Sequence, residues 1–130
     1  MKKGLFFFGL IFLFFLGCKN EATKIINLIS PQEVYDAVYN SDEVQLVDVR
    51  TQEEFAESHI GKALNVCITD DDFKEKAAQL NKEKPVYVYC KGGGRSAHAA
   101  IILKEMGFKE IYDMQGGLIN WESQGLKQNN

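Results

Sequence analysis

Two short runs, Val44 to Val49 (VQLVDV) and Val86 to Tyr89 (VYVY), are apolar at almost every position. A strand that alternates apolar and polar residues can leave one face in water. A run without that alternation suits a parallel strand covered on both faces by helices. The surrounding chain supplies the helices. Ser30-Pro31-Gln32-Glu33 and Thr51-Gln52-Glu53-Glu54 both read as capping boxes, a hydroxyl cap with a glutamate three residues on. Pro31 suits a first helical turn. Helices are therefore expected from Ser30 to about Asn40 and from Thr51 to about Ser58. Thr69 to Leu80 reads as a third, with three aspartates complementing the dipole of its first turn. Ser96 to Met106 is a fourth, with Gly107 as its C-terminal cap and Phe108 packing back. Gly117 to Glu122, carrying Trp121, is the last. Ile25 to Ile29, Ala63 to Val66 and Ile111 to Met114 add three strands. Strand and helix alternate throughout. The expected fold is α/β: a five-stranded, mainly parallel sheet in a three-layer α/β/α arrangement.

The 130 residues suffice for one domain with a real core. Net charge is −3, and the basic residues form no patch or stripe, which argues against a nucleic-acid partner. The domain is placed at residues 25–127, and a monomer is expected.

The N-terminus is different material. Lys2 and Lys3 precede an uncharged run of 14 residues, Gly4 to Gly17, dominated by Phe and Leu. That is shorter than the roughly 20 residues needed to span a bilayer and reads as a secretory signal peptide. Phe15-Leu16-Gly17-Cys18 resembles a bacterial lipobox, in which the cysteine after a small residue receives lipid and becomes the new N-terminus. Phe15 departs from the usual leucine. The expectation is a signal peptide over residues 1–17, lipidation of Cys18 and a tether over residues 18–24. Two or more acyl chains hold a protein firmly to a bilayer. The domain is then extracytoplasmic, on the periplasmic or cell-surface face of a bacterial membrane.

The chemistry concentrates in Tyr89-Cys90-Lys91-Gly92-Gly93-Gly94-Arg95-Ser96. Cys90 ends an apolar strand, and ligands in such sheets bind beyond the carboxyl ends of strands. Gly92, Gly93 and Gly94 let the chain curl with its N–H groups inward, as an anion-binding nest. A helix begins near Ser96, so its positive dipole end faces the same spot. Arg95 and Lys91 add charge. These effects all favour the thiolate, the nucleophilic form of cysteine.

These residues carry a family resemblance. The loop fits the Cys-x-x-Gly-x-Arg-Ser pattern of the rhodanese-like family. Asp48-Val49-Arg50 with Glu54-Phe55, His59-Ile60 with Ala63-Leu64-Asn65-Val66, and Ile111 to Met114 with Gly116-Gly117 and Trp121 resemble its other segments, in order. Ser58, Lys62 and Cys67 depart from it. The resemblance implies an active loop after the fourth strand and a sulfurtransferase. Cys90 takes a sulfane sulfur from a small anionic donor such as thiosulfate and passes it to a thiol, cyanide or protein acceptor. Arg95 binds the donor and braces the loop. Lys91, Gly92, Gly93, Gly94 and Ser96 bind substrate. Cysteine-dependent phosphatases resemble this less, because their loops place more residues between cysteine and arginine than the four here.

Other residues invite functional readings. Asp48 and Arg50 are possible site residues, but a structural ion pair of Arg50 with Glu54 is favoured. His59 reads as a hydrogen-bonded structural residue, His98 as either a solvated helix position or a residue tuning the loop, and Trp121 as core. Cys67 is either a small buried residue or a resolving thiol for Cys90. An extracytoplasmic persulfide carrier and a thiol–disulfide protein using Cys67 and Cys90 are the alternative functions. No cofactor or metal is expected, since the cysteines and histidines lack ligand spacing.

Overall fold

The computed structural model of the chain describes residues 24–128, together with Gly4. The expected signal peptide, the Cys18 lipidation site and nearly all of the tether lie outside the described residues.

Five strands and five helices alternate: β1 (Ile26–Ile29), α1 (Pro31–Asn40), β2 (Gln45–Asp48), α2 (Gln52–Glu57), β3 (Leu64–Asn65), α3 (Phe73–Ala77), β4 (Val86–Tyr89), α4 (Gly94–Glu105), β5 (Ile111–Met114) and α5 (Gly117–Ser123). The sheet order is β1-β5-β4-β2-β3, and every pairing is parallel. The sheet is thus wholly rather than mainly parallel. β4 lies at its centre. From β4 the chain moves outward to β5, and from β2 it moves the other way to β3. The β2–β4 boundary is therefore the point where strand order reverses, the usual place for a ligand crevice.

Both capping boxes form. Ser30 Oγ accepts from Glu33 N–H (3.2 Å) while Ser30 N–H donates to Glu33 (2.8 Å), and Thr51 with Glu54 does the same at 3.2 and 3.0 Å. The third helix is shorter than expected, Phe73–Ala77 rather than Thr69 to Leu80. Asp70, Asp71 and Asp72 lie in turns. Aspartate competes with the helical backbone for hydrogen bonds and favours turns and caps. Phe73 and Ala77, four residues apart, anchor the short helix in the core.

The two sheet faces bury separate cores. Val47, Val49, Val86, Val88, Cys90 and Ile111 pack with Phe73 and Ala77 of α3 and with Ala99, Ala100 and Leu103 of α4. On the other face Leu46, Tyr87, Tyr89 and Met114 pack with Val34 and Val38 of α1 and Leu118 and Trp121 of α5. Each fully buried Val, Leu, Ile, Phe or Met side chain among them contributes roughly 1.5–3 kcal/mol. β4 feeds both cores by strict alternation, which is why every one of its residues is buried. Lys62 takes φ +70°, a left-handed conformation that glycine adopts without strain. Gly107 takes φ +99° at the end of α4, and Phe108 N–H donates back to Leu103, as expected.

Candidate active site

Alternation along β4 sends Val86, Val88 and then Cys90 to the α4 side of the sheet. The loop turns sharply there. Gly93 takes φ +114°, which favours glycine, and its N–H donates to Cys90 Sγ at 3.0 Å. α4 begins at the next residue. The Cys90 thiol in turn donates to Ser96 Oγ at 3.5 Å, and Ser96 Oγ–H donates to Gly93 carbonyl at 3.1 Å. One glycine N–H therefore reaches the sulfur; among the described residues, Gly92 and Gly94 make no hydrogen bond to it. Ser96 is buried beneath the loop, whereas Lys91 and Gly92 are exposed on its outer side.

α5 clamps the loop from below. Leu118 N–H donates to Cys90 carbonyl (2.9 Å) and Ile119 N–H to Lys91 carbonyl (3.1 Å). So close an approach requires Gly117. A Cβ there would lie 2.5 Å from Cys90 O and from Lys91 C and O, and φ is +60°.

Arg95 leaves the first turn of α4 and meets Glu54 of α2. Nη1 reaches Oε2 at 2.8 Å and Nη2 reaches Oε1 at 3.0 Å. This bidentate hydrogen bonding holds the Glu54 carboxyl down at about 2, with the Thr51 bonds acting the same way against burial. The pairing expected for Glu54 was with Arg50, and the structure corrects it. Arg50 instead binds Asp48, Nη2 to Oδ2 at 2.6 Å, with both side chains almost wholly buried. The two residues sit two apart at the strand end, and Arg50 N–H also donates to Asp48 Oδ1 (2.9 Å), so the turn itself forms the pair.

That pair belongs to a polar lattice under the site. Arg50 donates to Ser58 carbonyl (2.7 Å), Ile60 N–H donates to the Tyr89 hydroxyl (3.1 Å), and Asn65 Nδ2 donates to the carbonyls of Asp48 (3.1 Å) and Arg50 (2.9 Å). Burial, followed by the Asp48 charge, pushes the Tyr89 phenol well above its ordinary value. Asp48 and Arg50 thus form a buried ion pair under the site. Arg50 also lines an open cavity of about 200 Å³ beside the loop, with Glu54, Glu57, Ser58, Lys91, Leu118, Ile119 and Glu122.

His59 Nδ1 bonds Phe55 carbonyl at 2.8 Å and its ring stacks on Phe55, a structural role. His98 is on the exposed side of α4. Trp121 is core, with Nε1 donating to Lys127 carbonyl at 3.2 Å. Cys67 and Cys90 are both free thiols, and Cys67 Sγ lies 3.2 Å from Thr69 Oγ1. Among the described residues, no cluster of His, Cys, Asp and Glu could hold a metal ion.

The rhodanese-like domain model matches residues 30–124. The chain belongs to the rhodanese-like family. It is 41% identical over 96 residues to the thiosulfate sulfurtransferase GlpE of Coxiella burnetii, covering 73% of this chain and 86% of that protein. It is 28% identical to a sulfurtransferase of Allochromatium vinosum, covering 78% and 94%. A rhodanese-like domain protein of Staphylococcus aureus superposes with a TM-score of 0.68 at 31% identity, over 80% of this chain and 99% of that one. The chain is a rhodanese-type sulfurtransferase. Of the loop residues expected from sequence, Gly93 and Ser96 contact the Cys90 sulfur, Arg95 is turned to Glu54, and Lys91, Gly92 and Gly94 make no hydrogen bond to the sulfur among the described residues. Reading the sequence alone missed Glu54 at Arg95, Gly117 under the loop, and the burial of Asp113 on β5. Glycine pairs before a helix and a lone acid within an apolar strand were the available signals.

Proposed function

We propose that Cys90 carries sulfane sulfur between thiosulfate and a thiol or cyanide acceptor. The observation behind this is the Cys90 sulfur at the end of the central strand, receiving Gly93 N–H at 3.0 Å at the head of α4. The Cys90 thiolate attacks the outer sulfur of thiosulfate. The S–S bond of the donor breaks, sulfite leaves with the bonding pair, and Cys90 becomes a persulfide anion. An acceptor thiolate or cyanide then attacks the terminal sulfur, and the Cys90 thiolate returns. Each half-reaction conserves charge, and the two-step covalent route implies ping-pong kinetics. Gly93 N–H stabilises charge on sulfur. Arg95, braced by Glu54, and exposed Lys91 give the doubly charged donor a positive approach. The likeness to the Coxiella burnetii thiosulfate sulfurtransferase supports thiosulfate as donor.

The test is turnover of thiosulfate and cyanide to sulfite and thiocyanate. Activity in the wild type and none in Cys90→Ala is expected. Equal activity in both overturns the reading.

The same reading places the domain outside the cytoplasm, held to a bacterial membrane by lipid on Cys18. Its support is Lys2 and Lys3, the uncharged run and Gly17-Cys18. Fatty-acid labelling of cells producing the full chain tests it. Label lost in Cys18→Ala is expected, and an unlabelled wild type contradicts it.

A further inference from the structure

The cavity of about 200 Å³ beside the active loop is walled by charges of both signs. It is smaller than the roughly 300–1,000 Å³ typical of ligand pockets, so its occupant is a small molecule. Its one almost wholly buried charged group is Arg50, 4% exposed. Arg50 Nε and Nη2 are turned to Asp48 and to the Ser58 carbonyl, and Nη1 makes no hydrogen bond among the described residues. The donors on Nη1 are left for whatever enters the cavity. A carboxylate is the partner that a guanidinium fits best.

The rim has the opposite sign. Glu57 and Glu122 line the same cavity and are exposed. Neither has an ion-pair partner among the described residues. Glu57 is the last residue of α2, and Glu122 lies in the last turn of α5. Each adds a negative charge to the negative end of its helix, where an acid is disfavoured and a cation is favoured. Neither helix has a basic residue in its last turn to relieve this. Glu54 also lines the cavity, but Arg95 already holds it. The cavity is tied to the backbone of the nucleophile. Lys91, next to Cys90, lines it, and so do Leu118 and Ile119, whose N–H groups donate to the Cys90 and Lys91 carbonyls at 2.9 and 3.1 Å.

We propose that this cavity binds the sulfur acceptor, and that the acceptor is a small thiol carrying both a carboxylate and an ammonium group. The carboxylate meets Arg50 Nη1, the ammonium meets Glu57 and Glu122, and the thiol is left to turn toward the loop. Thiosulfate brings two negative charges and nothing for the glutamates, and cyanide brings no cation either. The inference rests on the Cys90 persulfide. The acceptor thiolate bonds to the terminal sulfur, the S–S bond at Cys90 breaks with its pair left on Cys90, and the acceptor leaves as a persulfide. Arg50, Glu57 and Glu122 set the acceptor's identity.

The first test needs no sulfur transfer, so it stands even if Cys90 carries no sulfur. The reduced, isotope-labelled protein is titrated with cysteine, with cysteamine, which lacks the carboxylate, and with mercaptopropionate, which lacks the ammonium. Amide NMR signals are followed. Cysteine is expected to shift the Ser58 and Ile119 amides and to bind about tenfold or more tightly than either of the others, the scale of one charged hydrogen bond. No shift at these amides, or cysteine binding no tighter than either of the others, overturns the inference. Changing the ligand keeps this result independent of any variant's folding. In Glu57→Gln with Glu122→Gln, cysteine is expected to bind no better than mercaptopropionate, and an undiminished preference overturns the inference. Discharge of the Cys90 persulfide, followed by mass, is the second test. The rate ratio of cysteine to mercaptopropionate should fall in the double variant, and an unchanged ratio also overturns the inference. Failure of the persulfide to form at all would instead count against Cys90 as the sulfur carrier.

Discussion

Glu54 and Arg95 are 41 residues apart in the chain and join through two parallel hydrogen bonds, at 2.8 and 3.0 Å. The contact spans the β2–β4 boundary where strand order reverses. It ties the first turn of α2 to the first turn of α4. Glu54 therefore completes a capping box and braces the active loop with one carboxylate.

Glu54→Gln separates these roles, because glutamine still completes a capping box. Helix content should hold. An ion pair this exposed is worth about 0.2–1 kcal/mol, so stability should fall little. The loop, however, loses its brace. A misplacement of about 1 Å can cost about 10²-fold in rate, so kcat/KM for thiosulfate should fall roughly ten- to a hundredfold. The pH dependence has a definite sign. Glu54 titrates at about 2 when folded and at about 4.3 when unfolded. Its contribution is present above the unfolded value and disappears as pH falls toward the folded one. Urea titrations should show the wild type's advantage over Glu54→Gln shrinking across that window.

Gly117→Ala should be far more damaging than its size implies. The left-handed conformation alone costs a non-glycine residue roughly 1–3 kcal/mol. The new Cβ also meets Cys90 O and Lys91 C and O at 2.5 Å. Gly94→Ala, with open space around its Cβ, should leave stability unchanged or raise it by about 0.4–1 kcal/mol. Thermal melts of the two variants check the contrast.

Arg50→Ala leaves Asp48 as a buried, uncompensated charge. Such losses cost about 3–5 kcal/mol. Denaturant unfolding measures it. A loss under about 1 kcal/mol, the range of exposed pairs, contradicts the structural role.

Cys67→Ser should leave turnover and persulfide loading unchanged. Serine can keep the contact with Thr69, and Cys67 is a free thiol in the structure. A large drop in turnover would restore the resolving-thiol reading.

Much of this was readable from sequence because it is local. The capping boxes at Ser30 and Thr51, the Gly107 stop and the apolar β4 each announce themselves within a few residues. The third helix was overextended because acids in a first turn and acids in a turn before a helix look alike. The partner of Arg50 was misassigned for a different reason. Asp48 and Glu54 are both near in sequence, and only the fold shows that the strand-end turn brings Asp48 round while Glu54 faces Arg95. Side chains joined across distant elements leave little local trace.

The account's central claim is that sulfur rides on Cys90. The most direct test is to treat the reduced protein with thiosulfate in the absence of acceptor and map the mass by digestion. The account predicts one added sulfur on the peptide containing Cys90, removed by cyanide and absent in Cys90→Ala. Thiocyanate formation with no added sulfur on Cys90, or with the sulfur on Cys67, would contradict it.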